Sequence, residues 1–200
     1  MNNFPPFEPS PPLNRVQRWN TYLALVTAVI ALALGLTMRN ATLSATQPFE
    51  NLEAGVRAQV PRGWLIDTAG PDFVIRAQDP DALPFKTLLQ ISVLPIGPDA
   101  TPNKVLDLLT MERAARFPAY RELLRADQTV RGEPAKRMEY VYTQDERNPF
   151  QATVSLVIQG VDVVVLRRGQ AVVITYREER SAFADNLYRF ENLLQTVEIF

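Results

Sequence analysis

From Thr21 to Met38 the chain reads TYLALVTAVIALALGLTM, 18 residues without a charge. As a helix rising about 1.5 Å per residue, this run reaches roughly 27 Å, close to the thickness of a bilayer's hydrocarbon layer. Three readings fit such a run: a buried core helix, a cleaved signal peptide and a retained anchor. Core helices keep a polar stripe, and this segment is apolar on every face. A signal peptide's apolar region spans about 7 to 15 residues. Here Arg39 and Asn40 intervene before the small residues around Ser44 and Ala45 where cleavage would fall. A single-pass transmembrane helix over 19–39 is therefore expected. Trp19 and Tyr22 at one end and Arg39 at the other are its membrane-interface anchors. Ala24, Ala28, Ala31 and Gly35 recur at three- and four-residue spacing and form a small-residue face on which another helix can pack.

Beyond the span the period changes. Residues 40–49 read as a linker, and 50–200 as one α+β domain. Val56, Ala58 and Val60 alternate with Arg57 and Gln59 and predict a strand that Pro61 ends. Phe73, Ile75 and Ala77 repeat the pattern, and Leu88 to Leu94 forms a nearly continuous apolar strand. Thr101 and Pro102 are an N-cap and first helical position. The helix that follows has an apolar face of Val105, Leu108, Leu109 and Ala115, a charged face of Lys104, Asp107, Arg113 and Arg116, and a stop at Pro118. Strands are predicted at 129–131, 135–143, 150–158, 161–166 and 171–176. Tight hairpin turns are placed at Gln159-Gly160 and Arg168-Gly169. Ser181 is the expected cap of a last helix carrying Phe183, Leu187, Phe190 and Leu194, before a short strand over Val197 to Phe200. This order gives an N-terminal transmembrane helix followed by an antiparallel β-sheet domain with helices packed on the sheet.

Composition and charge narrow the chemistry. Five of the 16 prolines fall in the first twelve residues, so 1–18 reads as an extended proline-rich arm on which Phe4 and Phe7 are docking residues or part of a free tail. The chain has neither cysteine nor histidine, which removes disulfides, thiol nucleophiles, the commonest general base and the commonest transition-metal ligands. The net charge is -1, and beyond Arg39 it is -3, from 18 basic and 21 acidic residues. A nucleic-acid partner is not expected from that balance. Two arginines before the span, Arg15 and Arg18, against Arg39 after it place the N-terminus in the cytoplasm and the domain outside it.

Several local patterns resemble the PsbP/Mog1-like α/β/α sandwich. Val60-Pro61-Arg62-Gly63-Trp64 is similar to that family's early strand ending in proline, glycine and tryptophan. Lys86 to Leu94 resembles its strand leading to a helix, Gly132 to Tyr140 its glycine–proline–alanine turn into a long strand, and Phe183 to Phe200 its closing helix and strand. The resemblance implies an accessory or binding module and transfers no catalytic residue. Metal sites of photosynthetic members involve histidine and are not carried over. The transmembrane anchor departs from the soluble or lipidated pattern.

The remaining candidates have plain structural readings. Trp64 reads as a core aromatic. Asp79 and Asp81, with Asp72 and Asp99, are oxygen donors without the spacing of a calcium loop and read as surface turns. Ser155, Thr175 and Tyr176 lack a histidine base, and Lys86, Lys104 and Lys136 stand in no S-x-x-K pattern. Arg113, Arg116, Arg121, Arg125, Lys136 and Arg137 are interrupted by Glu112, Glu122 and Glu139 and read as local ion pairs. No cofactor, metal or catalytic residue is expected. The expected function is a non-catalytic accessory or assembly subunit anchored in the membrane and bound to a membrane or envelope protein complex. A small-ligand-binding domain or a histidine-free enzyme at the membrane surface is the alternative, and a cleft with converging Arg and Asp side chains is the feature that would favour it.

Overall fold

Asn14 opens the first helix, with Gln17 reaching back to its backbone. The Asn14 backbone N–H donates to Gln17 Oε1 at 2.9 Å, and Asn14 Oδ1 accepts from the Arg15 N–H at 2.6 Å. The computed structural model describes residues 14–43, 45–146 and 154–200. The proline-rich segment with Phe4 and Phe7, Ser44 and the strand start expected at Phe150 lie outside the described residues. The chain divides into two units, 1–45 and 46–200.

The first unit contains α1, Arg15–Leu43. Within its stretch Arg15–Arg39 an 18-residue window reaches a mean hydropathy of 2.1, and the helix is long and apolar enough to cross a membrane. The helix satisfies its own polar side chains. Thr21, Thr27 and Thr37 donate their hydroxyls to the carbonyls of Gln17, Leu23 and Leu34 at 2.8, 2.9 and 2.9 Å. Such back-bonding leaves none of these three hydroxyls in want of water.

The second unit begins earlier than its sequence pattern suggests. Residues 40–49 are not a linker, because α1 continues to Leu43 and β1, Thr46–Asn51, pairs antiparallel with β2, Val56–Pro61. Next come β3, Leu65–Asp67; β4, Ile75–Gln78; β5, Leu88–Pro95; and α2, Pro102–Arg116. The chain continues through β6, Arg121–Val130; β7, Glu133–Glu146; β8, Val154–Arg167; and β9, Gln170–Glu179. It closes with α3, Arg180–Thr196, and β10, Glu198–Ile199. The strands form a small sheet, β1-β2-β10, and an antiparallel seven-stranded sheet in the order β3-β4-β5-β9-β8-β7-β6.

The large sheet is covered on both faces, which explains why β8 and β9 read as continuous valine-rich runs. One face packs against α3 and the small sheet, around Trp64, Ile91, Val163, Ile174, Phe190 and Leu193. The other packs against α2, around Leu106, Leu109, Met138, Tyr140, Tyr142 and Val173. On this second side α2 lies over β7 and β8. Thr101 caps α2 by accepting the Lys104 N–H at 3.3 Å, as the sequence predicts.

Four local expectations need correction. Gln159-Gly160 is not a turn: β8 runs straight through it, with Gly160 opposite Tyr140 on β7 and Arg177 on β9. The glycine makes room for a neighbouring ring, since a Cβ there would lie 2.3 Å from Tyr140 Cζ. Ser181 does not cap α3; Glu179 occupies the N-cap position, and the Ser181 hydroxyl lies inside the first turn, donating to Glu179 Oε1 at 2.8 Å. The buried face of α2 is Val105, Leu106 and Leu109, leaving Leu108 60% exposed. The strand placed at 129–131 begins at Arg121, hidden in sequence by a register shift between Glu122 and Leu124 that leaves Leu123 and Leu124 exposed on an edge strand.

Candidate functional site: a polar groove on the α2 side of the sheet

The period-two alternation of three neighbouring strands places polar side chains on the sheet face that α2 leaves open. Arg76 on β4 pairs in register with Gln90 on β5, Gln90 with Thr175 on β9, and Thr175 with Asp162 on β8. The adjoining row runs Gln78, Leu88, Arg177, Gly160 and Tyr140. The β4, β5 and β9 members of these two rows floor a groove of about 760 Å³. One wall is α2, through Leu109, Glu112, Arg113 and Arg116, and the other is the segment from Leu83 to Lys86.

At the α2 end, Arg113 reaches down to the sheet. Its Nη1 donates to Asp162 Oδ2, and its ring-facing side lies 4.5 Å from the Tyr140 ring centroid. Thr175 Oγ1 donates to Asp162 Oδ1 at 2.7 Å, so both carboxylate oxygens are held. The Asp162 side chain is fully buried and Arg113 only 11% exposed. Arg113 thus belongs to the interior and not to the solvated face of the helix, as its spacing suggests; Arg116 does remain outside, paired with Glu112 at 2.9 Å.

In the middle of the groove two arginines face each other across β5. Arg76 Nε donates to Gln90 Oε1 at 3.1 Å, with its guanidinium 4.1 Å from the Phe73 ring centroid. Burial lowers the Arg76 pKa first and the Arg177 charge lowers it further; Asp67 and Asp72 pull the other way, and Arg116 adds the smallest lowering. Arg177 lies 5.6 Å from the ring centroid of Phe117, which stacks on Tyr142 at 4.2 Å. Arg177 Nε and the Tyr142 hydroxyl are both buried, and neither reaches a partner at hydrogen-bonding geometry. The Arg177 charge is still close enough to oppose part of the rise that burial imposes on the Tyr142 phenol.

Of the candidate residues singled out in the sequence, Asp72, Lys86, Arg113, Arg116 and Thr175 line the groove, and the others lie elsewhere. Trp19, Tyr22, Ala24, Ala28, Ala31, Gly35 and Arg39 are all on α1. Trp64 is part of the α3-side core, with Arg189 5.5 Å from its ring centroid. Asp79 is no free turn acid, since it accepts from Arg189 Nη1 at 2.8 Å with its side chain 13% exposed. Arg125, Lys136 and Arg137 pair locally with Asp107 and Glu122, Asp127, and Glu139 and Glu191. Arg76 and Arg177 drew no notice in the sequence. Their signal was present: Gln90, Thr175 and Arg177 interrupt otherwise apolar strands at positions sharing one face, and Asp162 sits inside Val161-Asp162-Val163.

No protein-family model matches the sequence, and no curated protein matches it. Solved structures do resemble it. Cyanobacterial PsbP (CyanoP) from Synechocystis sp. PCC 6803 superposes with a TM-score of 0.57 at 13% identity, covering 78% of this chain and 94% of that one. LpqN, involved in cell envelope biogenesis of Mycobacterium tuberculosis, gives 0.53 at 13% identity over 78% and 90%. The Ran-binding protein Mog1p of Saccharomyces cerevisiae gives 0.50 at 9% identity over 78% and 95%. At these identities the likeness is one of fold: residues 46–200 form an α+β domain with the PsbP/Mog1-like architecture.

Proposed function

We propose that the chain is a non-catalytic, membrane-anchored accessory or assembly subunit whose PsbP/Mog1-like domain binds a membrane or envelope protein complex. The observation that carries this reading is the state of α1, a 29-residue helix whose apolar side chains stay in the open, Leu32 at 65% and Val29 at 58% exposed. Leaving such a row in water is costly, at roughly 25 cal/mol per Å² of apolar area, and a bilayer removes the cost. Trp19 and Tyr22 then sit at the cytoplasmic interface; residues 15–18, expected as the end of the proline-rich arm, are instead the first turn of α1. Arg39 marks the opposite interface, about 30 Å away along the helix. The domain, residues 50–200, is extracytoplasmic. Ala24, Ala28, Ala31 and Gly35 form the face for a partner helix; a Cβ on Gly35 would meet no atom within 4 Å. Among fold relatives, the Ran-binding Mog1p and LpqN, involved in cell envelope biogenesis, accord with a protein-binding role in an envelope setting.

The test is purification of the full chain in a mild detergent after in-cell crosslinking, followed by mass spectrometry. A stoichiometric membrane or envelope protein is the expected result; a monomer free of partners overturns the reading. A reporter active only in the cytoplasm, fused after Phe200, should stay silent, and its activity would reverse the assigned orientation.

A second reading, a ligand-binding domain, is favoured by one feature: Arg76, Arg177, Arg113 and Asp162 converge on or beside a groove.

A further inference from the structure

We propose that the groove on the α2 side of the sheet binds a small organic oxyanion. Its carboxylate or phosphate group would be held by Arg177, Arg76 and the Tyr142 hydroxyl, and its apolar body would lie against Phe117, Leu109 and Phe85. This inference concerns the domain alone and does not depend on the partner complex proposed above.

The argument starts from how the other arginines are spent. Among the described residues, the partly buried Arg113, Arg125, Arg137, Arg167 and Arg189 each meet a carboxylate. Arg76 and Arg177, also partly buried, form no ion pair; Asp67, opposite Arg76 on β3, and Asp72 act on Arg76 through their charge alone. Burying a guanidinium without a counter-charge is unfavourable, and holding two of them within reach of each other's charge adds repulsion. The depressed Arg76 basicity reflects both effects. An anion between them removes both costs together, and the guanidinium fork matches carboxylate and phosphate oxygens.

A second, independent observation lies on the same wall. Tyr142, which lines the groove, is 2% exposed and its buried hydroxyl has no hydrogen-bond partner, while Nε of the Arg177 guanidinium is a buried donor without an acceptor. Buried donors left unpaired are rare in folded proteins. The Tyr142 hydroxyl and the guanidiniums of Arg177 and Arg76, neither of which forms an ion pair, make a donor set that suits an acceptor carrying negative charge. Glu112, the carboxylate on the α2 wall, is already engaged by Arg116. The volume of about 760 Å³ suits a small organic molecule better than a bare inorganic ion, and Leu109, Phe85 and Phe117 supply apolar wall.

The test uses the full chain in zwitterionic lipid nanodiscs, with empty discs as the blank, titrated by calorimetry with four water-soluble probes. These are 4-phenylbutyrate, phenyl phosphate, the neutral 4-phenylbutyramide and inorganic phosphate. Saturable binding of at least one aryl anion below about 1 mM is expected, with the amide and inorganic phosphate roughly tenfold weaker or worse. Arg177→Gln and Arg76→Gln should each weaken the aryl anion about tenfold. Tyr142→Phe, which keeps the stack on Phe117, should weaken it several-fold at an unchanged unfolding midpoint. Absence of saturable binding overturns the proposal, as does equal affinity for the amide or for inorganic phosphate. Indifference to both Arg177→Gln and Tyr142→Phe, or binding of an acidic peptide and neither aryl anion, overturns it equally.

Discussion

Arg113 on α2 and Asp162 on β8 form an ion pair that pins the helix to the sheet, with the carboxylate fully buried and its second oxygen taken by Thr175. The two partners are not equivalent. Asp162 has no route to water, whereas Arg113 borders the groove and rests against the Tyr140 ring. Removing the cation strands a buried carboxylate, a loss of about 3–5 kcal/mol. Arg113→Met should therefore destabilise the domain by that order, and Asp162→Asn by clearly less, since the amide still bonds Thr175. Denaturant unfolding of both variants checks the ranking, and a reversed order would contradict the asymmetry.

The contact between Gly160 and Tyr140 sets a tighter limit. A Cβ on residue 160 would lie 2.3 Å from Tyr140 Cζ and 2.5 Å from its hydroxyl oxygen, and Tyr140 is wholly buried between neighbours. The ring cannot swing out of the way without losing its contact with Tyr120 and the Arg113 guanidinium. Gly160→Ala should cost about 1–3 kcal/mol as overpacking. Combining it with Tyr140→Leu should recover part of the loss in a double-mutant cycle, and strict additivity would show that the ring is not the obstacle.

These two sites show where sequence pattern stops being informative. Alternation reports the parity of a strand, and it located β2 and β4 correctly because their faces are unequal: Val56, Ala58 and Val60 are buried while Arg57 is exposed. A cap is equally local, so Thr101-Pro102 marks the start of α2 without reference to the rest of the chain. Gly160 looks the same in sequence whether it bends the backbone or admits a ring from the next strand, because the difference is made by Tyr140, twenty positions away. Arg113 likewise follows the spacing of a solvated face, and only the carboxylate on β8 draws it inward. The groove was illegible for a related reason. Its floor joins β4, β5 and β9, whose adjacency is a matter of topology that no local window contains.

The turn from β8 to β9 rests on two left-handed residues, Arg168 at φ 47° and Gly169 at φ 78°. Consecutive positive φ values match the type I′ hairpin, whose twist suits the flanking strands. Arginine bears a side-chain penalty in that conformation of about 1 kcal/mol. Arg168→Asn should therefore raise stability by up to about 1 kcal/mol, and Gly169→Ala should lower it by about 1–2 kcal/mol. Thermal unfolding of the pair tests both signs. A destabilised Arg168→Asn would mean that the arginine makes a contact worth more than the strain.

On α1, Gly35 lies on a face where an added side chain meets nothing within 4 Å, so Gly35→Leu and Ala31→Leu should leave the unfolding of residues 46–200 unchanged. Under the proposed packing role, the same substitutions should abolish co-purification of the membrane partner by blocking close helix approach. Retention of the partner in the double variant would remove the small-residue face from the account while leaving the anchor itself untouched.

The buried phenols predict how the domain fails in base. Burial raises the pKa of Tyr176 above the ordinary tyrosine range, and the neighbouring Glu178 charge and its hydrogen bond raise it further. Burial likewise raises Tyr142 and Tyr120, against a partial counter-pull from nearby arginines. An acid whose pKa is higher in the folded state than in the unfolded chain keeps its proton longer when folded. Its stabilising contribution is complete below the unfolded pKa of about 10 and is lost as pH rises from there towards the folded value. Stability should thus be flat with respect to these groups up to about pH 9. Above pH 10 it should fall, with each buried phenol contributing at most about 1.4 kcal/mol per pH unit. The tyrosinate absorbance of Tyr176, Tyr142 and Tyr120 should appear together with unfolding. Tyr176→Phe should flatten the fall in stability above pH 10. A fall as steep as in the parent protein would show that Tyr176 ionises in the folded state as freely as in the unfolded chain.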